Sequence, residues 1–194
     1  EKGDWILRKL AGTQQRHARL ESARIEWQDG VAFPFLGQQV TVALDPHHAF
    51  EGVGGVLDAG AEGGGGPVLR LALAKNAGAP QIRDAAQAWL MRQARRIFIE
   101  RLDHFAPRLG VTWNKLSLSN ASTRWGSASA DGAIRLHWRL VHFRMSVIDY
   151  VVAHELSHLR VMDHSPRFWE TVKSVVPNYS ELRGQLKEDP VPAW

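Results

Sequence analysis

The sequence predicts an α+β fold: a small antiparallel sheet packed on one apolar helix, plus an N-terminal β-rich lobe. Short segments that alternate apolar and polar residues, typical of strands, occur before residue 80 and again between residues 115 and 140. Apolar residues at helical spacing follow each group, over residues 81–105 and 146–160. We therefore expect residues 1–79 to form a lobe of a helix and a β-hairpin, and residues 80–194 to form a second domain.

Composition limits the kinds of site and partner. The 194 residues contain no cysteine, so a metal site must use histidines and carboxylates. No apolar run approaches the roughly 20 residues of a membrane span, so we expect no membrane partner. We expect a cytoplasmic location, with a signal before Glu1 as the alternative. The net charge of +4 fits a solvated basic face as well as an anionic partner. Nucleic acid therefore stays an alternative partner, although no motif in the sequence points to it.

The first 79 residues predict one helix and several short strands. Residues 4–20 have helical spacing, and because the chain begins at Glu1 rather than Met we expect this helix to be truncated at its start. Antiparallel strands are predicted at residues 24–27, 31–33 and 39–44, with a turn at Asp29-Gly30. The glycine-rich residues 52–55 and 61–67 are too flexible for a strand interior, and the four-glycine run predicts a hairpin tip rather than a phosphate loop. Residues 68–73 are expected to form the returning strand.

The middle of the chain predicts a long helix and a hairpin. The helix covers residues 81–105 and is expected to stop at Pro107 and Gly110. Its arginines 92, 95, 96 and 101 are expected to be solvated, since no aromatic residues interleave with them. A strand at 115–119 follows, and Asp131-Gly132 predicts a hairpin turn between residues 123–127 and 133–140.

The helix predicted at residues 146–160 carries His154-Glu155-Leu-Ser-His158, an H-E-x-x-H motif. The two histidines lie one turn apart on the same face, so both can bind one metal ion, and Glu155 can act as the base. Ser146 and Asp149 predict a capping box at the helix start. The apolar positions recur at helical spacing: Val147, Ile148, Val151, Val152, Leu156 and Leu159.

A third histidine, His164, lies six residues after His158. Three histidines leave a fourth position open for water, as a catalytic zinc site requires, so we expect one Zn²⁺ per chain. Two unrelated histidines on a helix are the simpler alternative, and the cap, the apolar helix and His164 argue against it. Metzincin peptidases have Gly where this chain has Val161, so the turn is expected at Met162-Asp163 or near Arg160. Helices are expected after Ser165-Pro166, ending at Pro177, and at residues 179–187.

These stretches resemble the YgjP-like metallopeptidase family, related to the WLM and SprT-like zinc peptidases. The matching residues are 33–37, 124–127, 134–140, 149–159 and 164–169, of which the last two stretches are the most specific. The resemblance implies a zincin-like fold with His154, His158 and His164 as zinc ligands and Glu155 as the general base. Family members commonly have Cys where this chain has Ala128.

The resemblance implies a zinc-dependent peptidase acting on a peptide or protein substrate. An edge strand beside the metal helix can pair with an extended substrate, so we expect the hairpin to supply substrate contacts from Arg124, Trp125, Ile134, Leu136 and Trp138. Arg124, His142 and Tyr179 are chemically suited to stabilise the oxyanion. The alternatives are a protease acting on DNA-bound proteins and a metal-dependent binding module without turnover.

Overall fold

The computed structural model describes residues 24–47, 54–60, 65–121, 123–188 and 192. The helix predicted at residues 4–20 lies outside them. The strands are β1 Ala32–Phe35, β2 Gln38–Leu44, β3 Gly55–Asp58, β4 Val68–Leu71, β5 Lys115–Ser119, β6 Gly126–Ala128 and β7 Ala133–His137. The helices are α1 Ala79–Leu109, α2 Met145–His158, α3 Pro166–Val175 and α4 Tyr179–Glu188, and a 3₁₀ helix, Trp138–His142, joins β7 to α2.

The first sheet has the order β1-β2-β4-β3. It is mixed rather than antiparallel, because β2 runs parallel to β4. The strand predicted at residues 24–27 is reduced to a single bridge at Arg24. Conversely, β3 begins at Gly55, inside a stretch that we expected to be too rich in glycine for a strand. A Cβ at Gly55 would lie 3.3 Å from Cδ1 of Trp89, so the glycine lets β3 approach α1 closely.

The second sheet has the order β5-β7-β6 and packs against α2. The predicted hairpin is present: β6 and β7 are antiparallel, and Gly132 turns the chain with a φ of 89°. However, β5 runs parallel to β7, so this sheet is also mixed. β7 is therefore the central strand and β6 an edge. Residues 138–140, predicted to extend β7, form the 3₁₀ helix instead.

Helix α1 supplies the core that both sheets share. Pro107 does not end the helix but lies in its last turn, and Gly110, with a φ of 64°, is the C-cap. The rings of Trp89 and Phe35 lie 5.0 Å apart, which joins α1 to β1. The residues of α1 that face the core are Ile82, Ala86, Trp89, Leu90, Ala94, Ile97, Phe98, Leu102, Phe105, Ala106 and Leu109.

The N-terminal sheet is also hydrogen-bonded to the segment that leads into α2. The amide of Leu36 donates to the carbonyl of Val141 at 2.7 Å, and the amide of Gly37 to that of His142 at 3.3 Å. The buried residues of both halves form one continuous hydrophobic cluster. The division at residue 79 stays a prediction. None of the helices in the described part of the chain has the length and apolar character of a membrane span.

Helix α2 begins one residue earlier than expected, and its cap differs. Arg144 is the N-cap, so Ser146 lies inside the first turn and the predicted capping box does not form. Asp149 instead accepts hydrogen bonds from Nε and Nη2 of Arg101 on α1, at 2.5 and 3.0 Å. This bidentate pair fixes α2 against α1. Asp149 therefore forms an ion pair with a residue of another helix instead of the predicted cap of its own helix.

Candidate metal centre

The structure brings the three predicted ligands together. His154 and His158 lie one turn apart on α2, and His164 reaches them from the loop before α3. Candidate ligand atoms of the three side chains all lie within 4.8 Å of one another. The Nε2 atoms of His154 and His164 are 3.2 Å apart. Tetrahedral Zn²⁺ with Zn–N bonds of about 2.0–2.1 Å places two ligand nitrogens about 3.3 Å apart, so this pair already has the required separation.

The loop that carries His164 turns without a glycine. Helix α2 ends at His158, and its C-cap Leu159 keeps a right-handed conformation with a φ of −68°. The amides of Arg160 and Val161 both donate to the carbonyl of Ser157 at 3.0 Å. Because no left-handed residue is needed here, Val161 can occupy the position where metzincins have Gly. Helix α2 thus ends two residues before Arg160, so the turn lies near Arg160, one of the two positions predicted for it.

Hydrogen bonds in this loop also orient the ligands. Nδ1 of His158 lies 3.3 Å from the carbonyl oxygen of Val161 and donates to it, which leaves Nε2 for a metal. Asp163 accepts a hydrogen bond from the amide of Ser165 at 3.1 Å. Pro166 then begins α3 at its first turn, as the sequence predicted.

Two aromatic residues of α3 pack against the histidines: Phe168 against all three and Trp169 against His154 and His164. The ring of Phe168 lies 4.8 Å from His154, 4.5 Å from His158 and 4.8 Å from His164, and its side chain is fully buried. Trp169 stacks on His164 at 5.8 Å and on Tyr179 of α4 at 5.1 Å. These aromatic rings restrict the rotation of the imidazoles. Helix α3 therefore holds the candidate ligands in place.

The environment favours neutral imidazoles, which are the form that binds metal. Burial lowers the pKa of His154 to about 3, and the neighbouring histidines act in the same direction. Burial also lowers the pKa of His158. Nδ1 of His154 is buried and has no hydrogen-bond partner among the described residues. The three nitrogens and the absence of cysteine fit a first-row divalent ion such as Zn²⁺.

Glu155 lies beside His154 with 6 % of its surface exposed. Burial raises the pKa of Glu155 to about 8, and the positive charge of Arg124 opposes this shift. Edge strand β6 passes directly over the carboxyl group: a Cβ at Gly126 would lie 2.6 Å from Oε1 of Glu155. The glycine is therefore required for this strand to lie against the metal helix. A divalent cation held by the neighbouring histidines would favour the ionised carboxylate, the form that can accept a proton.

A cavity of about 220 Å³ opens beside Glu155 and His154. Its walls include Arg124, Trp125, Gly126, Tyr150 and Leu186. The structure thus places Arg124 and Trp125 at the site as predicted. Sequence reasoning missed Tyr150, whose ring lies 5.9 Å from that of His154. Tyr150 precedes His154 by four residues and therefore lies on the same helix face, so its position could have been predicted from the sequence.

Three residues predicted to contact substrate lie elsewhere. The side chains of Ile134, Leu136 and Trp138 are buried in the core: Ile134 and Leu136 share one face of β7, whose sheet packs against α2, and Trp138 belongs to the 3₁₀ helix. The structure therefore does not support substrate contacts by these three side chains. His142 is also away from the cavity: its Nδ1 donates to the carbonyl of Pro34 at 2.6 Å. Tyr179 stacks on Trp169 and is not one of the residues that line the cavity.

A family model described as "YgjP-like, metallopeptidase domain" matches residues 1–189. Among solved structures, the metallopeptidase zymogen abylysin of Pyrococcus abyssi is 23 % identical, with a TM-score of 0.43 over 50 % of this chain and 99 % of that chain. The metallopeptidase zymogen jannalysin of Methanocaldococcus jannaschii is 15 % identical, with a TM-score of 0.42 over 47 % of this chain and 94 % of that chain. No match was found among curated proteins.

Proposed function

The chain belongs to the YgjP-like metallopeptidase family, and from this premise we propose that it hydrolyses peptide bonds with one Zn²⁺ held by His154, His158 and His164. The observation that carries the proposal is the convergence of these three side chains next to the buried carboxyl of Glu155. Three histidines leave a coordination position open, which is the arrangement of a catalytic rather than a structural zinc site. When bound there, Zn²⁺ supplies Lewis acidity that polarises a carbonyl group and acidifies water.

Glu155 is the proton carrier in this proposal. It accepts a proton from the attacking water and passes it to the leaving amine; the adjacent Zn²⁺ would favour the ionised carboxylate, which is the form that accepts the proton. Helix α2 places it next to His154, and Gly126 covers its other side. The same burial excludes bulk water, which strengthens each electrostatic interaction in the site.

Strand β6 is positioned to hold the substrate backbone. It pairs with β7 along one side, and no described strand pairs with its other side. It also packs against α2, so a peptide added along the free edge would run past Glu155. Tyr150 lines the adjoining cavity, and burial raises the pKa of its hydroxyl, so it stays protonated and can donate a hydrogen bond to a developing oxyanion.

The proposal is tested by proteolysis with zinc-loaded protein and its Glu155→Gln variant. We expect the wild type to cleave an unfolded protein such as casein, to lose activity with a chelator and to regain it with Zn²⁺. Glu155→Gln should keep one zinc per chain but lose about 10²–10⁴-fold in rate, because the ligands remain and the proton carrier is gone. A variant as active as the wild type would refute the role of Glu155 and favour a contaminating protease. Zinc binding without any cleavage would favour a binding module.

A further inference from the structure

The cavity beside Glu155 has an unusual distribution of charge. Arg124 is the one cationic residue among its walls, and Glu155 is the one acidic residue. The ion pairs among the described residues engage other cations, and Arg124 has no hydrogen-bonded or ion-paired partner in the part of the chain that the structure describes. Its guanidinium therefore keeps its five donors available on the substrate side of the site.

A second guanidinium adds positive charge from the opposite element. Arg183 on α4 lies over the ring of Trp169, with 5.0 Å between Cζ and the ring centroid. Trp169 itself stacks on His164, so the charge of Arg183 is separated from the metal centre by one aromatic ring. Arg183, like Arg124, takes part in no ion pair among the described residues. The segment before β6 thus supplies a guanidinium to the cavity wall, and helix α4 supplies a second one beside the metal centre, outside that wall.

The remaining walls limit what can enter. Trp125, Tyr150 and Leu186 supply apolar and aromatic surface around the guanidinium. The volume of about 220 Å³ is below the roughly 300 Å³ at the lower end of pockets for drug-sized ligands. A single side chain or a chain end fits such a space, whereas a large ligand does not. Planar carboxylates match the fork of an arginine, which can donate two parallel hydrogen bonds to them.

We propose that Arg124 binds a carboxylate of the peptide substrate, so that the enzyme selects peptides with an acidic group next to the scissile bond. This inference rests on the proposed peptidase function and adds the substrate class to it. The carboxylate can come from an Asp or Glu side chain or from the C-terminus of the peptide. Arg183 reinforces the selection through its longer-range field, and Glu155 keeps its proton-carrying role.

The test compares labelled peptides that differ only in charge. One pair has Glu or Gln at a single position, scanned across the cleavage site, and a second pair has a free or an amidated C-terminus. Binding is measured by fluorescence anisotropy at low salt with metal-free protein, which cannot cleave its ligand. We expect the acidic peptide of one pair to bind about 10-fold more tightly or better, and the pair that shows the difference identifies the source of the carboxylate.

Two variants assign the preference to Arg124. Arg124→Gln should abolish the difference between the paired peptides, and Arg124→Glu should reverse it in favour of a Lys-containing peptide. Arg135→Gln is the matched control, because Arg135 is exposed on β7 and lines no part of the cavity. Circular dichroism checks that each variant is folded. Equal affinity for both members of every pair, including no measurable binding to any, overturns the inference, as does a preference that survives Arg124→Gln.

The same peptides separate this inference from the proposed function. With zinc-loaded protein, cleavage without any charge preference would leave the peptidase function intact and refute the carboxylate site. Selective binding to metal-free protein, without cleavage by the zinc-loaded form, would support the carboxylate site and refute the peptidase function.

Discussion

Gly126 lies so close to Glu155 that no other residue fits there without displacing the carboxyl group. A Cβ at Gly126 would be 2.6 Å from Oε1, 2.7 Å from Cγ and 2.8 Å from Cδ of Glu155. These separations are shorter than van der Waals contact, and burial leaves the carboxyl little room to move. The edge strand and the metal helix are thus coupled at Glu155, the residue that we propose as the proton carrier.

Gly126→Ala should therefore impair catalysis more than metal binding. We expect kcat/KM to fall about 10²-fold, since misplacement of a catalytic group by about 1 Å has an effect of this size. Zinc content should be unchanged, because Gly126 does not touch the three histidines. Gly184→Ala is the control, since a Cβ there meets nothing within 4 Å. Full activity in Gly126→Ala would show that the carboxyl is not held against β6.

Phe168 is expected to influence metal affinity without being a ligand. Its ring packs on all three imidazoles, so Phe168→Leu leaves space in which they can rotate. Loss of an outer contact to metal ligands typically lowers affinity about 10–100-fold, and we expect the lower end because no hydrogen bond is lost. A competition titration with a zinc indicator measures this. Phe98→Leu, at an equally buried site on α1, should lower stability and leave zinc affinity unchanged.

The ion pair between Arg101 and Asp149 should contribute to stability. Their side chains are 18 % and 22 % exposed, and burial raises the pKa of Asp149 while Arg101 opposes the shift. Asp149→Asn should cost about 2–3 kcal/mol, below the roughly 3–5 kcal/mol of fully buried pairs, because it leaves the guanidinium without its counter-charge. Urea denaturation measures the loss. Glu100→Gln, which removes the exposed pair with Arg96, should cost less than about 0.5 kcal/mol.

The buried side chain of His142 should make the folded protein less stable in acid. Burial lowers the pKa of His142 to about 4, whereas the unfolded chain has a value near 6.5. Because the unfolded state then binds the proton first, the free energy of unfolding is highest above about pH 6.5 and falls as the pH drops toward 4. Metal-free protein and His142→Gln should be compared in urea at pH 7 and pH 4.5. A smaller pH dependence in the variant is expected, and an identical dependence would contradict this assignment.

The sequence predicted those parts of the fold that depend on neighbouring residues. Helix α2 and the ligand positions follow from spacing within one segment, and the turn at Gly132 follows from one dipeptide. The parallel pairing of β2 with β4 was not predictable, because it joins residues 41–44 to residues 68–71 across a long connection. The ion pair of Asp149 was missed for the same reason, since Arg101 lies 48 residues away.

The residues predicted to contact substrate are only partly placed at the cavity. Arg124 and Trp125 line it, as expected for a segment next to an edge strand, and their contact with substrate stays a prediction. Ile134, Leu136 and Trp138 were assigned to the same surface because alternation shows which side chains share a face but not whether that face is buried. Ile134 and Leu136 lie on a face that packs into the core, and Trp138 lies in the 3₁₀ helix rather than in the strand, and both results depend on tertiary packing.

Zinc content tests the three-histidine centre most directly. The protein should be purified without added metal, beside His164→Ala and the control His47→Ala, whose residue lies in an exposed loop outside the cluster. Mass spectrometry should find one zinc per chain in the wild type and in the control, and a sharp loss in His164→Ala. No metal in the wild type, or a content that is indifferent to His164, would contradict the centre on which the proposed function depends.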